Sequence, residues 1–246
     1  MTPRRRWAQA GRLGSQAVTR LLLASASPAR LATLTAAGID PIVRVSGVDE
    51  HAVLTAARER FGDLEPADAV LVLAQAKAED VARALADDGA ADDDATGGLL
   101  VLGCDSLLEV DGEVLGKPRD AQDAVERWRS MRGRAGELHT GHWLIDERTP
   151  QSEGGDGTGG TLGAVSSTVV HFADLSDAEI DQYIATGEPL AVAGAFTLDG
   201  LGGPFVTAVE GDHHGVVGLS LPLLRELLAE VGVTIPSLWR AGTIPA

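Results

Sequence analysis

The loop Ser25-Ala26-Ser27-Pro28-Ala29-Arg30 has the composition of an anion-binding loop. It follows a short apolar run, and Pro28 favours the first position of a helix. A helix N-terminus directs free N–H groups and the positive end of its dipole at a ligand. Ser25 adds a hydroxyl group, and Arg30 adds a fork of donors for phosphate oxygens. The alternative is an ordinary Ser-Pro helix cap with a solvated arginine.

Asp105 stands just after the apolar run LLVLG, separated from it by Cys104, and this run predicts a buried strand. Ligands gather at the carboxyl ends of parallel strands in open α/β sheets, and we expect Asp105 to lie at such an end. A carboxylate there can hold a metal ion or take a proton from an attacking water. An aspartate that only caps a turn is the alternative, and these residues alone leave it open.

Two lysines stand at positions that favour contact with an anion. Lys77 lies in the apolar stripe of a predicted helix, four residues after Leu73 and four before Val81. Lysine is rarely buried without a partner, although a stem that snorkels along the stripe is the alternative. Lys117 follows a predicted hairpin and precedes Pro118, where it either reaches over a cleft or belongs to a surface loop.

Asp49 and Glu50 follow the second predicted strand and offer oxygen ligands for Mg²⁺, which binds few protein carboxylates and keeps its waters. A solvated acidic turn is the commoner occurrence in an acidic chain. His213 and His214 are adjacent, and in an extended segment they point to different faces, so we expect them to be a poor chelating pair.

The composition narrows the class of protein. A formal net charge of −16 disfavours general nucleic-acid binding, so a small anionic ligand needs local basic groups or a divalent cation. No apolar run reaches the roughly 20 residues that span a bilayer. The single cysteine fits a reducing compartment, and we expect a cytoplasmic protein that does not bind membranes. Residues 1–19 are basic and are expected to form a flexible extension.

The patterns of apolar residues predict a single α/β domain over residues 20–246, with a mainly parallel sheet and two lobes. Predicted strands cover residues 20–25, 42–46, 99–103, 139–146, 164–172, 205–210 and 215–219. Predicted helices cover residues 29–37, 66–85, 121–131, 177–187 and 221–231. Asp111-Gly112 predicts a hairpin. Residues 87–98 and 150–160 are expected to be inserted loops, the second of them flexible.

Six stretches resemble, in order, the Maf family of nucleoside triphosphate pyrophosphatases, and they cover most of residues 21–231. They read LLLASASPARLATLTAAGI, VSGVDE, LAQAKA, LGCDSLLEVDGEVLGKPRDAQDA, GEPLAVAGAFTLDGLGGPFV and VEGDHHGVVGLSLPLL. Each stretch is modest alone, and together they are specific to the family.

The resemblance implies a two-lobed, mixed-sheet α/β fold related to the inosine triphosphate pyrophosphatases, with the active site in the central cleft. It implies a hydrolase of phosphorus-containing anhydrides that cleaves a canonical or modified nucleoside triphosphate to the monophosphate and pyrophosphate. The implied cofactor is Mg²⁺ or Mn²⁺. A housekeeping role in the nucleotide pool is implied as well, and a homodimer is left open.

The family's functional residues carry over position by position. The substrate-binding positions are Ser25, Arg30, Lys77, Lys117 and Asp199. Glu50 matches the acidic residue of the metal site, and Asp105 matches the residue treated as general base or metal ligand. The family loop usually ends in Pro-Arg-Arg, whereas Ala29 replaces the first arginine here. Asp199 stands where Gln or Glu is common, at a position associated with nucleotide preference.

Two rival functions remain. A regulator of septum formation would act by binding partners or nucleotides, without catalysis as its purpose. A phosphatase would release orthophosphate and leave a diphosphate.

Overall fold

The computed structural model describes residues 19–87 and 98–240. Of the predicted N-terminal extension only residue 19 is described, and of the first predicted insertion only residues 87 and 98. The strands are β1 (Arg20–Leu23), β2 (Ile42–Val43), β3 (Leu99–Val110), β4 (Glu113–Leu115), β5 (Ala135–Asp146), β6 (Thr161–Phe172) and β7 (Val206–Glu210). The helices are α1 (Pro28–Ala36), α2 (Glu50–Phe61), α3 (Pro66–Asp87), α4 (Ala121–Met131), α5 (Asp177–Ala185), α6 (His213–Val217) and α7 (Leu221–Glu230).

The seven described strands form one mixed sheet in the order β2-β1-β3-β5-β6-β7, with β4 paired to β3. Only β1 runs parallel to its neighbours β2 and β3, and the other pairs are antiparallel. The α/β class with a mixed sheet is confirmed, and the expectation of a mainly parallel sheet is wrong. Long strands that return directly on their neighbours, as β5 and β6 do, give antiparallel pairs without a crossover helix.

Strand β3 is longer than predicted and carries Asp105 in its interior rather than after its end. Its first residues pair with β1 up to Leu102, and its last residues pair with β4 from Leu108 onward. On this edge of the sheet, residues 103–107 have no strand partner among the described residues. Asp105 therefore lies beyond the carboxyl end of β1, as expected, but in a gap between two strands that flank the same edge.

Helix α3 lies directly on the sheet because two glycines face it. A Cβ on Gly103 would overlap the carbonyl of Ala74, and a Cβ on Gly141 would overlap the carbonyl of Val70. Because these glycines have no side chain, the inward face of α3 packs against the backbone of β3. This contact fixes how far the side chain of Lys77, one turn along the helix, reaches toward β3.

Hydrophobic residues form two main cores on either side of the gap in β3. The first packs α1 and α7 against the sheet, through residues that include Leu34, Leu102, Leu144 and Leu228. The second packs α4 and α5 around the far halves of β3, β5 and β6, with Trp128 at its centre. The two cores correspond to the predicted lobes.

Several local predictions are confirmed. Ser27 caps α1 with Pro28 as its first residue, and Gly38 follows its end at φ +83°. Ser176 and Glu179 form the predicted capping box of α5. Asp111 and Gly112 both have positive φ, as a type I′ hairpin turn requires.

The second predicted insertion makes defined contacts with the rest of the chain. Residues 150–160 include a 3-10 turn at Gln151–Glu153, and Thr158 bonds twice to Asp146, so the loop is anchored. Within the described ranges, no helix is both long and apolar enough to cross a bilayer.

Candidate functional site

The loop before α1 is organised by its own serines. Ser27 Oγ accepts a hydrogen bond from the backbone N–H of Arg30 at 3.4 Å, which is the predicted helix cap. Ser25 is buried, and its Oγ accepts from the N–H of Ser27 at 3.2 Å and from Arg30 Nη1 at 3.1 Å. With Oγ used as an acceptor, the hydroxyl proton of Ser25 is its remaining donor for a ligand.

The guanidinium group of Arg30 is buried and bonds to three separate parts of the chain. Nε donates to the carbonyl of Gly218 at 2.7 Å, and Nη1 donates to the carbonyl of Cys104 at 2.8 Å. Nη2 donates to Ser106 Oγ at 3.1 Å. The Cys104 carbonyl belongs to the unpaired edge of β3, so Arg30 fills part of the gap between β1 and β4. Most of its donor fork is therefore directed at the protein itself.

A directed chain of hydrogen bonds continues from Arg30 across the sheet. Thr140 donates to the carbonyl of Gly215 at 2.8 Å, which makes Thr140 Oγ1 the acceptor for Ser106 at 2.9 Å. Ser106, Thr140 and Gly218 are not among the site residues predicted from the sequence. Their only sequence signal is a small polar or glycine residue inside an apolar segment, which is too common to identify a site.

Lys77 lies between two carboxylates. Its Nζ is 2.6 Å from Glu50 Oε1 and 2.5 Å from Asp105 Oδ1. The side chains of Lys77 and Asp105 are only 12% and 11% exposed, whereas that of Glu50 is 51% exposed. The anionic partner expected for a lysine on the inner stripe of α3 is thus found, and it is contributed by the protein.

Glu50 reaches this cluster because it opens a helix instead of a turn. Asp49 caps α2 by accepting from the N–H of Ala52 at 3.0 Å, and Glu50 is the first helical residue. Helix α2 is not predicted from the sequence. Of its residues only Ala57 is buried, so the helix lacks the apolar stripe that would have revealed it.

The electrostatic environment separates the two carboxyl groups. Burial raises the pKa of Asp105, although the charges of Lys77 and Arg30 oppose it. Burial also pushes the pKa of Glu50 upward, but the hydrogen bond and charge of Lys77, with the charges of Lys117 and Arg30, leave it below its usual value. A buried carboxylate with raised basicity beside a fully ionised one suits proton transfer next to a charged ligand.

The Glu50–Asp105 pair also fits a divalent cation. One ammonium group contacts both carboxylates at once, so a single ion of similar position reaches both. Carboxylate oxygens are the donors that Mg²⁺ and Mn²⁺ prefer, and Mg²⁺ is usually held by one or two of them.

Lys117 and Asp199 are the remaining predicted positions. Lys117 contributes a charge that Glu50 senses, and the turn before it is fixed by Arg127, which donates to the carbonyl of Gly116 at 2.6 Å. Asp199 is exposed on the loop before Gly200, and among the described residues it makes no hydrogen bond or ion pair with the cluster.

The predicted strand at residues 215–219 is wrong, because its first three residues belong to helix α6, which covers His213–Val217. Asp212 accepts from the N–H groups of His214 and Gly215 and starts the helix. The two histidine rings therefore do not point to opposite faces but lie with their centroids 3.8 Å apart. With Asp212 they form a group whose ligand atoms lie within 4.8 Å of one another.

A comparison with known protein families finds a match over most of this chain. The model of the family described as Maf-like protein matches residues 20–231. The chain belongs to the Maf family. The candidate site is built entirely from residues inside the matched range.

Two relatives illustrate how close the Maf homologues are. A Salinispora tropica protein named nucleoside triphosphate pyrophosphatase is 55% identical over 224 residues, which are 91% of this chain and 89% of that protein. A Mycobacterium ulcerans protein of the same name is 47% identical over 93% of this chain and 100% of its own length.

A similar solved structure is the nucleoside-triphosphatase, titled dITP/XTP pyrophosphatase, from Mycobacterium abscessus. It is 13% identical, with a TM-score of 0.35, over 87% of this chain and 96% of that chain. This likeness is too low to carry an argument about the present chain.

Proposed function

We propose that this Maf protein hydrolyses nucleoside triphosphates to the monophosphate and pyrophosphate at the Glu50–Lys77–Asp105 cluster. The observation that carries the proposal is the buried Asp105, which bonds to Lys77 and lies in the unpaired stretch of β3 to which Arg30 of the Ser25 loop also bonds. The names of the Maf relatives support the same reaction.

In this mechanism a water oxygen forms a bond to the α-phosphorus, and the bond from that phosphorus to the α–β bridging oxygen breaks. Asp105 takes the proton of the water, because its raised pKa makes it a better base than an ordinary aspartate. In the nucleotide-free protein Lys77 holds Oδ1 of Asp105, and Oδ2 is the oxygen that we assign to accept the proton. Pyrophosphate departs as an anion.

Positive charge near the phosphates supplies much of the remaining stabilisation, since phosphoryl transfer depends on positioning and electrostatics more than on covalent chemistry. Lys77 and Lys117 are the basic groups that we assign to the triphosphate. The hydroxyl of Ser25 and the N-terminus of α1 add neutral donors. Arg30 contributes its charge and holds the loop, because its bonds to Gly218, Cys104 and Ser106 occupy most of its fork.

We assign a divalent cation, Mg²⁺ or Mn²⁺, to the oxygens of Glu50 and Asp105. When bound, it supplies Lewis-acid neutralisation of the triphosphate charge. The low pKa of Glu50 keeps that ligand ionised over the neutral range. Asp199, exposed on its loop, is proposed to contact the base.

The test is product analysis in ¹⁸O-labelled water with a panel of canonical and modified nucleoside triphosphates and Mg²⁺ or Mn²⁺. We expect monophosphate and pyrophosphate, with the label in the monophosphate. Diphosphate and orthophosphate would identify the phosphatase instead. Absence of hydrolysis with every nucleotide, together with tight nucleotide binding, would favour the regulator of septum formation.

Base preference is tested by repeating the panel with Asp199→Gln. If Asp199 contacts the base, the ranking of nucleotides by kcat/KM changes while the products stay the same. An unchanged ranking would remove Asp199 from the substrate site. The preferred substrate then indicates whether the protein acts on modified nucleotides, as the proposed housekeeping role in the cytoplasmic nucleotide pool requires.

A further inference from the structure

Lys77 stands where a cation shared by Glu50 and Asp105 would stand. Its Nζ contacts both carboxylates at 2.5 and 2.6 Å, which are distances of strong charge-assisted hydrogen bonds. A divalent ion binds carboxylate oxygens at roughly 2.0–2.1 Å for Mg²⁺, so it needs the same oxygens and much of the same space. The ammonium group and the ion are therefore competitors for one pair of ligands.

Charge makes the competition strong. The cluster contains two carboxylates and one ammonium group, and two of the three side chains are nearly buried. A divalent ion placed beside Lys77 would be repelled by the charge of the ammonium group, and water screens this repulsion only partly at a nearly buried site. Lys77 must find another anion before the ion can bind well. A triphosphate is such an anion.

We propose that Lys77 is an exchangeable counter-ion, which neutralises the Glu50–Asp105 pair until a divalent cation takes those oxygens and Lys77 transfers to the phosphates of the nucleotide. The proposal rests on the function proposed above, because the triphosphate supplies the new partner of Lys77. It follows that metal and nucleotide bind cooperatively, and that the nucleotide-free protein binds the metal weakly.

A lysine at position 77 suits this change of partners better than an arginine would. The chain has 20 basic residues of the Lys and Arg types, and position 77 and position 117 carry its only two lysines. A compact ammonium group on a flexible stem changes partners easily, whereas the planar fork of arginine favours a fixed bidentate contact. Arg30 shows the second behaviour in the same site, with bonds to Gly218, Cys104 and Ser106.

The first test measures Mn²⁺ binding to the nucleotide-free protein by titration calorimetry. Lys77→Met removes the competitor, and we expect Mn²⁺ to bind about tenfold tighter, or more, than to wild type. Lys117→Met is the matched control, because it removes the same charge without freeing the two carboxylates, and its Mn²⁺ affinity should change much less. The double variant with both Lys77→Met and Asp105→Asn should lose this increase in Mn²⁺ affinity.

The double variant also controls for metal binding at the group of Asp212, His213 and His214. A gain in Mn²⁺ affinity that persists without the Asp105 carboxylate would place the metal elsewhere and overturn the proposal. So would a Lys77→Met protein that binds Mn²⁺ no more tightly than wild type.

The second test uses the wild-type chain, so it does not depend on the folding of a variant. Protein labelled with ¹⁵N-lysine gives two side-chain ammonium signals, and Lys117→Arg assigns them. We expect Mg²⁺ with an α,β-methylene nucleoside triphosphate to shift the Lys77 signal strongly, and Mg²⁺ alone to shift it little. A Lys77 signal that is unchanged in the complex of protein, Mg²⁺ and analogue would overturn the exchange.

These outcomes are separable from failure of the proposed function. Pyrophosphate release with an unchanged Mn²⁺ affinity of Lys77→Met rejects the exchange and keeps the function. Tighter Mn²⁺ binding without any pyrophosphate release rejects the function, and with it the transfer of Lys77 to a triphosphate.

Discussion

Two buried basic side chains, Arg30 and His142, hold the turn between α6 and α7. Arg30 Nε donates to the carbonyl of Gly218 at 2.7 Å, and His142 Nε2 accepts from the N–H of Ser220 at 2.8 Å. His142 Nδ1 lies 3.0 Å from the carbonyl of Thr140, so this nitrogen carries the proton of the neutral ring. Arg30 and His142 thus each bond to a turn that lies 188 and 78 residues later in the chain, respectively.

Replacement of Arg30 should destabilise the protein. Arg30→Met leaves the buried carbonyls of Gly218 and Cys104 without their donors, and we expect a loss on the order of 3 kcal/mol in the free energy of unfolding. Urea unfolding measures it. Arg83→Met is the control, because Arg83 is largely exposed in a long ion pair, and it should change stability by about 0.5 kcal/mol or less. Equal stability of the two variants would show that the Arg30 bonds contribute little.

His142 should make stability fall in mild acid. Burial, with the nearby charge of Arg30, lowers its pKa to about 4 from the ordinary 6.5. The unfolded chain therefore binds a proton below pH 6.5 that the folded chain takes up only near pH 4. The stabilisation is complete above pH 6.5 and is lost as the pH falls toward 4, with about 2 kcal/mol lost by pH 5.

The measurement is the difference in urea stability between pH 7.5 and pH 5.0, compared for wild type and His142→Gln. The glutamine has no titrating group, so the variant should lack this share of the pH dependence. A pH dependence that is the same in both proteins would contradict the account of His142.

At the scale of elements, a helix can be predicted from the sequence when its own residues carry a cap or an apolar stripe. Helix α1 was predictable from Ser27 and Pro28, and α4 from the stripe that buries Ala124, Trp128 and Met131. Helix α2 has almost no buried face, and α6 is short and rich in valine, so both escaped prediction. The position of Glu50 depends on α2, which is why its contact with Lys77 was not evident from sequence.

The packing of α3 on Gly103 should be sensitive to a single methyl group. In Gly103→Ala the new Cβ meets the backbone of α3, so the helix must move away, at a cost of about 1–3 kcal/mol. Because the same helix carries Lys77, kcat should fall as well. Gly47→Ala is the control, since its new Cβ comes no closer than 4.0 Å to Asp80. Wild-type stability and kcat in Gly103→Ala would contradict this role of the close contact.

At the scale of the whole molecule, the site exists because β1 and β4 flank the same edge of β3 and leave a gap between them. Arg30 bonds across the gap to Gly218, 188 residues away, and Lys77 meets Asp105 across the face of the sheet. Sequence reasoning identified most side chains of the cluster. It did not show that Arg30 bonds mainly to the protein, since that depends on carbonyls contributed by distant backbone.

A buried ion pair closes the far end of the first core. Arg148 forks onto Asp146 at 2.7 and 2.8 Å and also donates to the carbonyl of Val231 at the end of α7. Arg148→Met leaves the carboxylate of Asp146 with its bonds from Thr158 but without its cationic partner. We expect the free energy of unfolding, measured in urea, to fall by about 3–5 kcal/mol. Asp146→Leu added to Arg148→Met should recover part of it. A neutral effect of Arg148→Met would contradict this assignment.

The most direct test of the account is the turnover rate of Asp105→Asn with its best nucleoside triphosphate and Mg²⁺. Asparagine keeps the shape and still accepts a hydrogen bond from Lys77, but it cannot take a proton from water. We predict that kcat falls by about 10²–10⁴-fold, while the melting temperature stays close to wild type. Hydrolysis by Asp105→Asn at the wild-type rate would contradict the account.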